Sequence, residues 1–414
     1  MPTRVKILCA ERKDKMFLDI YNRKIVLIKL FAVTFLSVVF LIFSFSLQAI
    51  EVGDVPQDIA EDFVYEPDGI TVESWVEELE IPWQLIFMPE SERALVTERP
   101  GRIRLIENGE LNENNYLNVD AEHIGEGGLM GMDHHPNFSE EPYIYFMYTY
   151  ENEEGELYNR VSRVKDRGNY GEEEEVILDH IPAGRTHNGG RIRFGPDDKL
   201  YVTTGDVWER WLAQDLNSLA GKILRLNPDG SIPEDNPFAD SYVYSLGHRN
   251  PQGLAWNDRG QLFISDHGPS GEEGLQAKDM VKVIQSGGNY GWPERIGYFG
   301  DGEYYDPLVF WPDEAVPPSG AEFIDDNLFI ATLRSRALVK ISLDIDQNEK
   351  YKVKNIDRWF AEGHYSGRFG RLRDVNLGPD NALYVLTSNR DGRGSPLPGD
   401  DKIYRIIIDS EIKN

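Results

Sequence analysis

One phrase recurs six times along this chain, and it constrains the fold more than any other feature. Each copy is a short burst of apolar and aromatic residues led in by a polar turn. The copies are Ala94-Leu95-Val96-Thr97, Tyr143-Ile144-Tyr145-Phe146, Leu200-Tyr201-Val202-Thr203, Leu262-Phe263-Ile264-Ser265, Leu328-Phe329-Ile330-Ala331 and Leu383-Tyr384-Val385-Leu386. Their spacing, roughly 50 to 65 residues, suits the longer periods of β-propeller blades. Each copy is followed by a turn and a second apolar stretch carrying basic residues, such as Arg102-Ile103-Arg104-Leu105 and Lys222-Ile223-Leu224-Arg225-Leu226. Such alternation predicts strands with one buried and one wet face. Turn signals such as Pro196-Asp197-Asp198 and Gly378-Pro379-Asp380-Asn381 separate the stretches, and no long helical period follows residue 50. The expected fold is all-β: a six-bladed β-propeller of four-stranded antiparallel blades over residues 70–414. A strand near Thr71–Val76 would close the last blade from the other end of the chain.

The N-terminal region is a separate object. Ile25 to Leu47 is almost wholly apolar, broken by Lys29, with Arg23-Lys24 before it and Gln48-Ala49 after it. A basic flank, an apolar core and a small residue at the end describe an export signal. The run is also long enough to span a bilayer. Residues 1–50 are therefore expected to be a signal peptide cleaved after Ala49, or else a membrane anchor, and 51–69 a linker. Either way the folded domain is expected outside the cytoplasm, in the periplasm or the extracellular space.

Residues 1–50 hold eight Lys/Arg and three Asp/Glu, which leaves 35 basic and 68 acidic residues, a net of −33, for the rest. A charge of that sign argues against nucleic acid as a partner. The single cysteine, Cys9, precedes the apolar run, so the exported part has neither disulfides nor a thiol nucleophile. The acidic run Glu172–Glu175 reads as a solvated loop rather than a metal site.

Four polar clusters are too dense for turn filler. In Thr186-His187-Asn188-Gly189-Gly190-Arg191, a histidine precedes glycines that let a ligand approach the backbone. Asp206, at the end of the next strand, could fix the tautomer of His187; a purely structural histidine is the alternative. The others are Gly247–Gly253 with Arg249 and Asn250, Asp266–Gly271 with Gly268 and Pro269, and Gly370–Asp374 with Arg371 and Arg373. Two arginines two apart on a strand share a face and ask for an anionic partner, unless local acids pair with them. No nucleophile elbow, dinucleotide fingerprint, P-loop or zinc cluster is present.

These segments carry a resemblance. With Gly125-Glu126-Gly127-Gly128-Leu129, Leu226-Asn227-Pro228-Asp229-Gly230 and Gly287-Gly288-Asn289-Tyr290-Gly291-Trp292-Pro293, the chain resembles the soluble quinoprotein aldose/glucose dehydrogenases, the glucose/sorbosone dehydrogenase family, from about Ile81 to Ile406. The resemblance implies pyrroloquinoline quinone (PQQ) and calcium as cofactors and an aldose sugar as substrate, oxidised at its anomeric carbon to a lactone. It implies that His187 is the general base, that Asp206 holds it, and that Arg249 and Asn250 contact the quinone oxygens. The carbonyls of Gly268 and Pro269 would bind calcium, and Arg334, Arg371 and Arg373 the cofactor carboxylates. The resemblance names no electron acceptor. The chain departs from the glucose enzymes at Glu126, where they have glutamine, and at Arg334, where they have lysine. Lys278-Asp279-Met280 replaces the segment that supplies a glutamate to a second calcium. A non-catalytic propeller that binds a protein or glycan, and a calcium-dependent hydrolase or lactonase, remain the alternatives.

Overall fold

The structure, a computed structural model, describes residues 49–409. The apolar segment Ile25–Leu47 lies outside them; among the described residues no helix is long and apolar enough to cross a membrane. Six antiparallel sheets follow one another along the chain. Their inner strands are Pro82–Phe87, Leu129–His134, Ile192–Phe194, Pro251–Trp256, Pro318–Ile324 and Leu372–Leu377. The six recurring phrases form the second strand of each sheet, Arg93–Glu98, Tyr143–Glu151, Leu200–Thr204, Leu262–Asp266, Asn327–Thr332 and Leu383–Thr387. The basic stretches form the third strands, among them Arg102–Glu107, Lys222–Leu226 and Asp279–Val283. Neighbouring blades meet through their inner strands or, between blades three and four, through Leu200–Thr204, and the sixth meets the first.

The recurring phrase is apolar on both sides because each blade is covered on both faces. Leu200–Thr204, Leu262–Asp266 and Leu383–Thr387 are buried throughout. Six apolar clusters fill the six junctions between blades; Leu85, Val96 and Ile106 of the first blade, for example, pack on Tyr384, Leu386 and Ile403 of the sixth. The expectation of a wet face on the third strands fails where this covering is complete. Lys222–Leu226 is buried at every position, and only Val283 of Asp279–Val283 is less than buried. The basic side chains survive burial by finding acceptors. Lys222 Nζ donates to the carbonyls of Leu212, Ala213 and Ala220 at 2.6, 3.1 and 2.7 Å, and Lys282 Nζ lies 2.6 Å from Asp266.

Ile70–Val76 pairs antiparallel with Ile403–Ile408 and supplies the outer strand of the sixth blade, so the two ends of the domain are stitched into one sheet. Residues 51–69 are more than the expected linker. Glu51–Val52 runs parallel to Arg295–Ile296, and Glu61–Val64 adds a fifth, parallel strand beside Tyr351–Trp359 of blade five. Trp311 Nε1 and Arg358 Nε donate to the Glu61 carboxylate at 2.6 and 2.7 Å, which fixes that strand.

The closing strand generates a prediction. Val76 is 4% exposed in the cluster shared by the first and sixth blades. Val76→Ala should cost about 2 kcal/mol, read as a lower midpoint in urea with an unchanged slope. Unchanged stability would mean that the strand does not close the ring.

Candidate functional site

In an antiparallel blade the chain leaves the second strand at the rim where it enters the inner strand. The loops at these points therefore gather on one face, around a cavity of about 460 Å³. Inner-strand entries bring Glu126, His187, Arg249, Asn250, Arg371 and Arg373 to its wall. Second-strand exits bring Arg99, Trp208, His267, Gly268, Pro269, Arg334, Asp391 and Arg393. Asp206 stands immediately behind His187.

The imidazole is the most constrained group. His187 Nδ1 lies 2.7 Å from Asp206 Oδ1, and Arg249 Nη2 lies 3.0 Å from His187 Nε2. A guanidinium only donates, so Nε2 is the acceptor, and Nδ1 carries the proton and donates it to Asp206. Asp206 is fixed in turn by Trp292 Nε1 at 2.8 Å and by the Trp208 N–H at 3.0 Å. The Trp208 ring stacks on the imidazole at 4.7 Å and 18°. Close approach makes Gly205 necessary here, since a Cβ would lie 1.9 Å from the His187 carbonyl oxygen. His187, Val207 and Trp208 all take left-handed backbone angles (φ 59°, 49° and 68°), a strained choice for side chains of this bulk that is concentrated at the site.

Arg249 is 1% exposed, and its Nε donates to Glu272 Oε1 at 2.7 Å. Its backbone N–H and that of Asn250 donate to the two oxygens of buried Asp266, at 3.3 and 2.8 Å. Burial works to raise Asp266, but Lys282 and His248 hold it far below the carboxylate range, so both anchors persist. Asn250 Oδ1 accepts the Gly189 N–H at 2.9 Å. The Gly268 N–H donates to Asp279 Oδ1 at 2.9 Å, and Asp279 Oδ2 accepts the Val316 N–H at 2.7 Å. Burial pushes Asp279 up to about 6, against the two backbone donors and the charge of Arg249. Burial holds His267 down at about 3, hence neutral, with Nε2 donating to the Pro318 carbonyl at 2.8 Å.

The arginines divide into paired and unpaired. Arg371 is tied to Asp391 at 2.7 Å, and Arg393 to Glu126 at 2.6 Å. Arg373, 5% exposed, donates to Gln252 Oε1 at 2.8 Å and touches no carboxylate among the described residues. Its Nε is buried without a partner, as is that of Arg99. Burial, with the like charges of Arg99 and Arg371, pushes Arg373 down to about 9 against the pull of Asp391. Arg334 is exposed, its guanidinium 5.0 Å from the Tyr365 ring centroid. The cavity therefore holds excess, desolvated positive charge inside a strongly acidic protein.

Glu126 does not add free negative charge to this wall. Its Oε2 accepts the His187 backbone N–H at 3.1 Å, and its Oε1 takes Arg393. Burial would raise it, but Arg393 and His187 bring it down to about 2.

Sequence reasoning passed over Arg99, Trp208, Glu272, Asp391 and Arg393. Arg99, two residues past the first phrase, stands near the same place in its repeat as Asp206 does in the third, so the period alone could have found it. The others are set by contacts between distant loops, which no local signal announces.

A family model described as Glucose / Sorbosone dehydrogenase matches residues 79–405, and the chain belongs to that family. It is 31% identical over 357 residues to the aldose sugar dehydrogenase of Escherichia coli K12, covering 79% of this chain and 92% of that one. Among solved structures, a Thermus thermophilus protein with a provisional assignment as an oxidoreductase (glucose dehydrogenase) is 48% identical, with a TM-score of 0.75 over 82% of this chain and all of that one. The PQQ-bound aldose sugar dehydrogenase of Streptomyces coelicolor is 34% identical, with a TM-score of 0.70 over 82% of this chain and 98% of that one.

The state of Glu126 sets a pH dependence. An acid depressed to about 2 stabilises the fold above its unfolded value near 4.5, and that contribution is lost as pH falls toward 2. Unfolding free energy from urea titrations should fall by roughly 2 kcal/mol more in the parent than in Glu126→Gln between pH 6 and pH 2.5. Parallel pH profiles would show that Arg393 and His187 do not hold the charge.

Proposed function

We propose that this chain is a PQQ- and calcium-dependent aldose dehydrogenase that oxidises the anomeric carbon of a sugar to a lactone. The observation that carries the reading is the unpaired buried guanidinium of Arg373, beside Arg99 and Arg371, at the wall of a cavity of ligand size. Such a charge is costly unless an anion completes it. A tricarboxylate cofactor fits that demand, with Arg99, Arg371 and Arg373 toward its carboxylates and Arg334 and Arg393 at the exposed edge. The carbonyls of Gly268 and Pro269 accept no hydrogen bond from the described residues, and oxygen donors of this type suit calcium. PQQ, when bound, supplies the hydride acceptor.

The chain's own residues carry the proton. Nε2 of His187, with Nδ1–H committed to Asp206, takes the proton of the anomeric hydroxyl as general base. Asp206 stabilises the imidazolium that results, and Trp292 and the Trp208 N–H keep that carboxylate in place. Arg249, now donating to Nε2, gives way to the sugar hydroxyl and turns its charge on oxygens that become negative nearby. Glu126 keeps the His187 backbone where this geometry needs it, a task a glutamine oxygen would share. The domain works in the periplasm or the extracellular space, free or tethered by residues 1–50. It passes its electrons on to a separate acceptor and does not engage nucleic acid.

Purified protein loaded with PQQ and calcium should reduce an electron-accepting dye in the presence of aldoses. Failure to bind the quinone would overturn the reading. His187→Gln should keep cofactor binding and lose on the order of 10³-fold in kcat. Arg373→Ala should weaken cofactor binding by roughly 2 kcal/mol or more, as loss of a charge-assisted bond requires.

A further inference from the structure

Ile50 is the first residue of the compact propeller unit and directly follows the expected cleavage position at Ala49. Its surroundings are those of an anchored residue. The side chain is 7% exposed, in a seventh apolar cluster with Ala213, Met280, Trp292, Ile296 and Phe310. Trp292 of that cluster donates to Asp206, and Ala213 closes the turn that follows Trp208. Ala49, one residue earlier, is exposed. The Ile50 backbone N–H donates to Glu273 Oε2 at 2.9 Å, across 223 residues of sequence, while Arg210 Nη1 lies 2.7 Å from Glu273 Oε1.

Glu273 belongs to the loop that brings Gly268 and Pro269 to the cavity wall and Glu272 to Arg249. That loop holds Glu273, Ala277 and Lys278 in left-handed conformations (φ 51°, 64° and 67°), so it needs fastening from outside. Glu272 fastens it to the cavity side; Glu273 fastens it to Arg210 and to the backbone of Ile50.

We propose that hydrolysis of the Ala49–Ile50 peptide bond makes the Ile50 α-ammonium the partner of Glu273, so that removal of the leading segment latches the loop of the site. The co-reactant is water, delivered by an endopeptidase of the export route. Water adds across the C–N bond; Ala49 keeps the new carboxylate and departs with the preceding residues, and Ile50 keeps the nitrogen, which is protonated at neutral pH. A peptide N–H offers Glu273 one donor and no charge. An ammonium at the same position offers three donors and a full charge, and charge-assisted bonds are the stronger class. The buried Ile50 side chain holds that ammonium in register, and the pairing of Glu51–Val52 with Arg295–Ile296 fixes the chain direction immediately after it. A cut one residue to either side would place the charge away from Glu273.

The test uses the exported protein. Intact mass and N-terminal sequencing should give Ile50 as the first residue; any other start, or an uncut chain, overturns the proposal. Mild acetylation at neutral pH, read by peptide mass, should modify the α-amine roughly tenfold more slowly in the parent than in Glu273→Gln, the protection a charge-assisted hydrogen bond confers. Equal rates in the two proteins would overturn it. Should Glu273→Gln fail to fold, a mature chain with one glycine ahead of Ile50 provides the same comparison, and its amine should react at the rate of an exposed one. None of these measurements depends on quinone loading or turnover, so they succeed or fail apart from the enzymatic reading.

Discussion

The pairing of Ile70–Val76 with Ile403–Ile408 turns a file of six sheets into a ring. Without it the first and sixth blades would each present apolar surface and an open strand edge to water, a template for association. With it every blade has a neighbour on both faces. That double covering is why the recurring phrase is hydrophobic on both sides, and why the charged residues of the third strands must find partners indoors. It also creates the site, since closure brings the rims of all six blades to one axis. Arg99 of the first blade and Arg371 and Arg373 of the sixth share a cavity wall only because the ring is shut.

The architecture was legible because it is periodic. Each phrase identified from apolar patterning is a second strand, and the closing strand near Thr71–Val76 follows from the arithmetic of four strands per blade. The burial of Lys222 and Lys282 was not legible. A basic residue between apolar ones reads as a wet face unless the covering of the next blade is known. The acceptors that rescue Lys222, three main-chain carbonyls from the turn near Leu212 and from Ala220, leave no mark in side-chain identity.

The site shows the same division. His187 stood out through its glycines, and the two same-face arginines through their spacing. What could not be read was which arginines are already neutralised. Arg371 and Arg373 are equivalent by pattern, yet one carries Asp391 and the other carries no carboxylate among the described residues, and that difference leaves the cavity with uncompensated positive charge rather than a set of closed ion pairs. Glu126, a carboxylate where the glucose enzymes have glutamine, is neutralised by Arg393 from a loop 267 residues away. Charge balance in a propeller is settled between blades, and a local pattern contains only one blade at a time.

The acidity of the protein takes on a second meaning from this. Part of the negative charge is surface, but Glu126, Asp206, Asp266 and Asp279 are spent on backbone or ring N–H groups at or behind the cavity wall. Each fixes a neighbour that the proposed reaction uses: Glu126 and Asp206 fix His187, Asp266 fixes Arg249 and Asn250, and Asp279 fixes Gly268. A carboxylate accepts two or more hydrogen bonds at once, so Glu126 holds the strained backbone of His187 while it pairs with Arg393, and Asp266 holds Arg249 and Asn250 while it pairs with Lys282; Arg99 and Arg373 keep no carboxylate among the described residues. The arrangement orders the site in advance and leaves arginine charge for the anionic cofactor proposed above, which is the condition for electrostatic stabilisation without reorganisation.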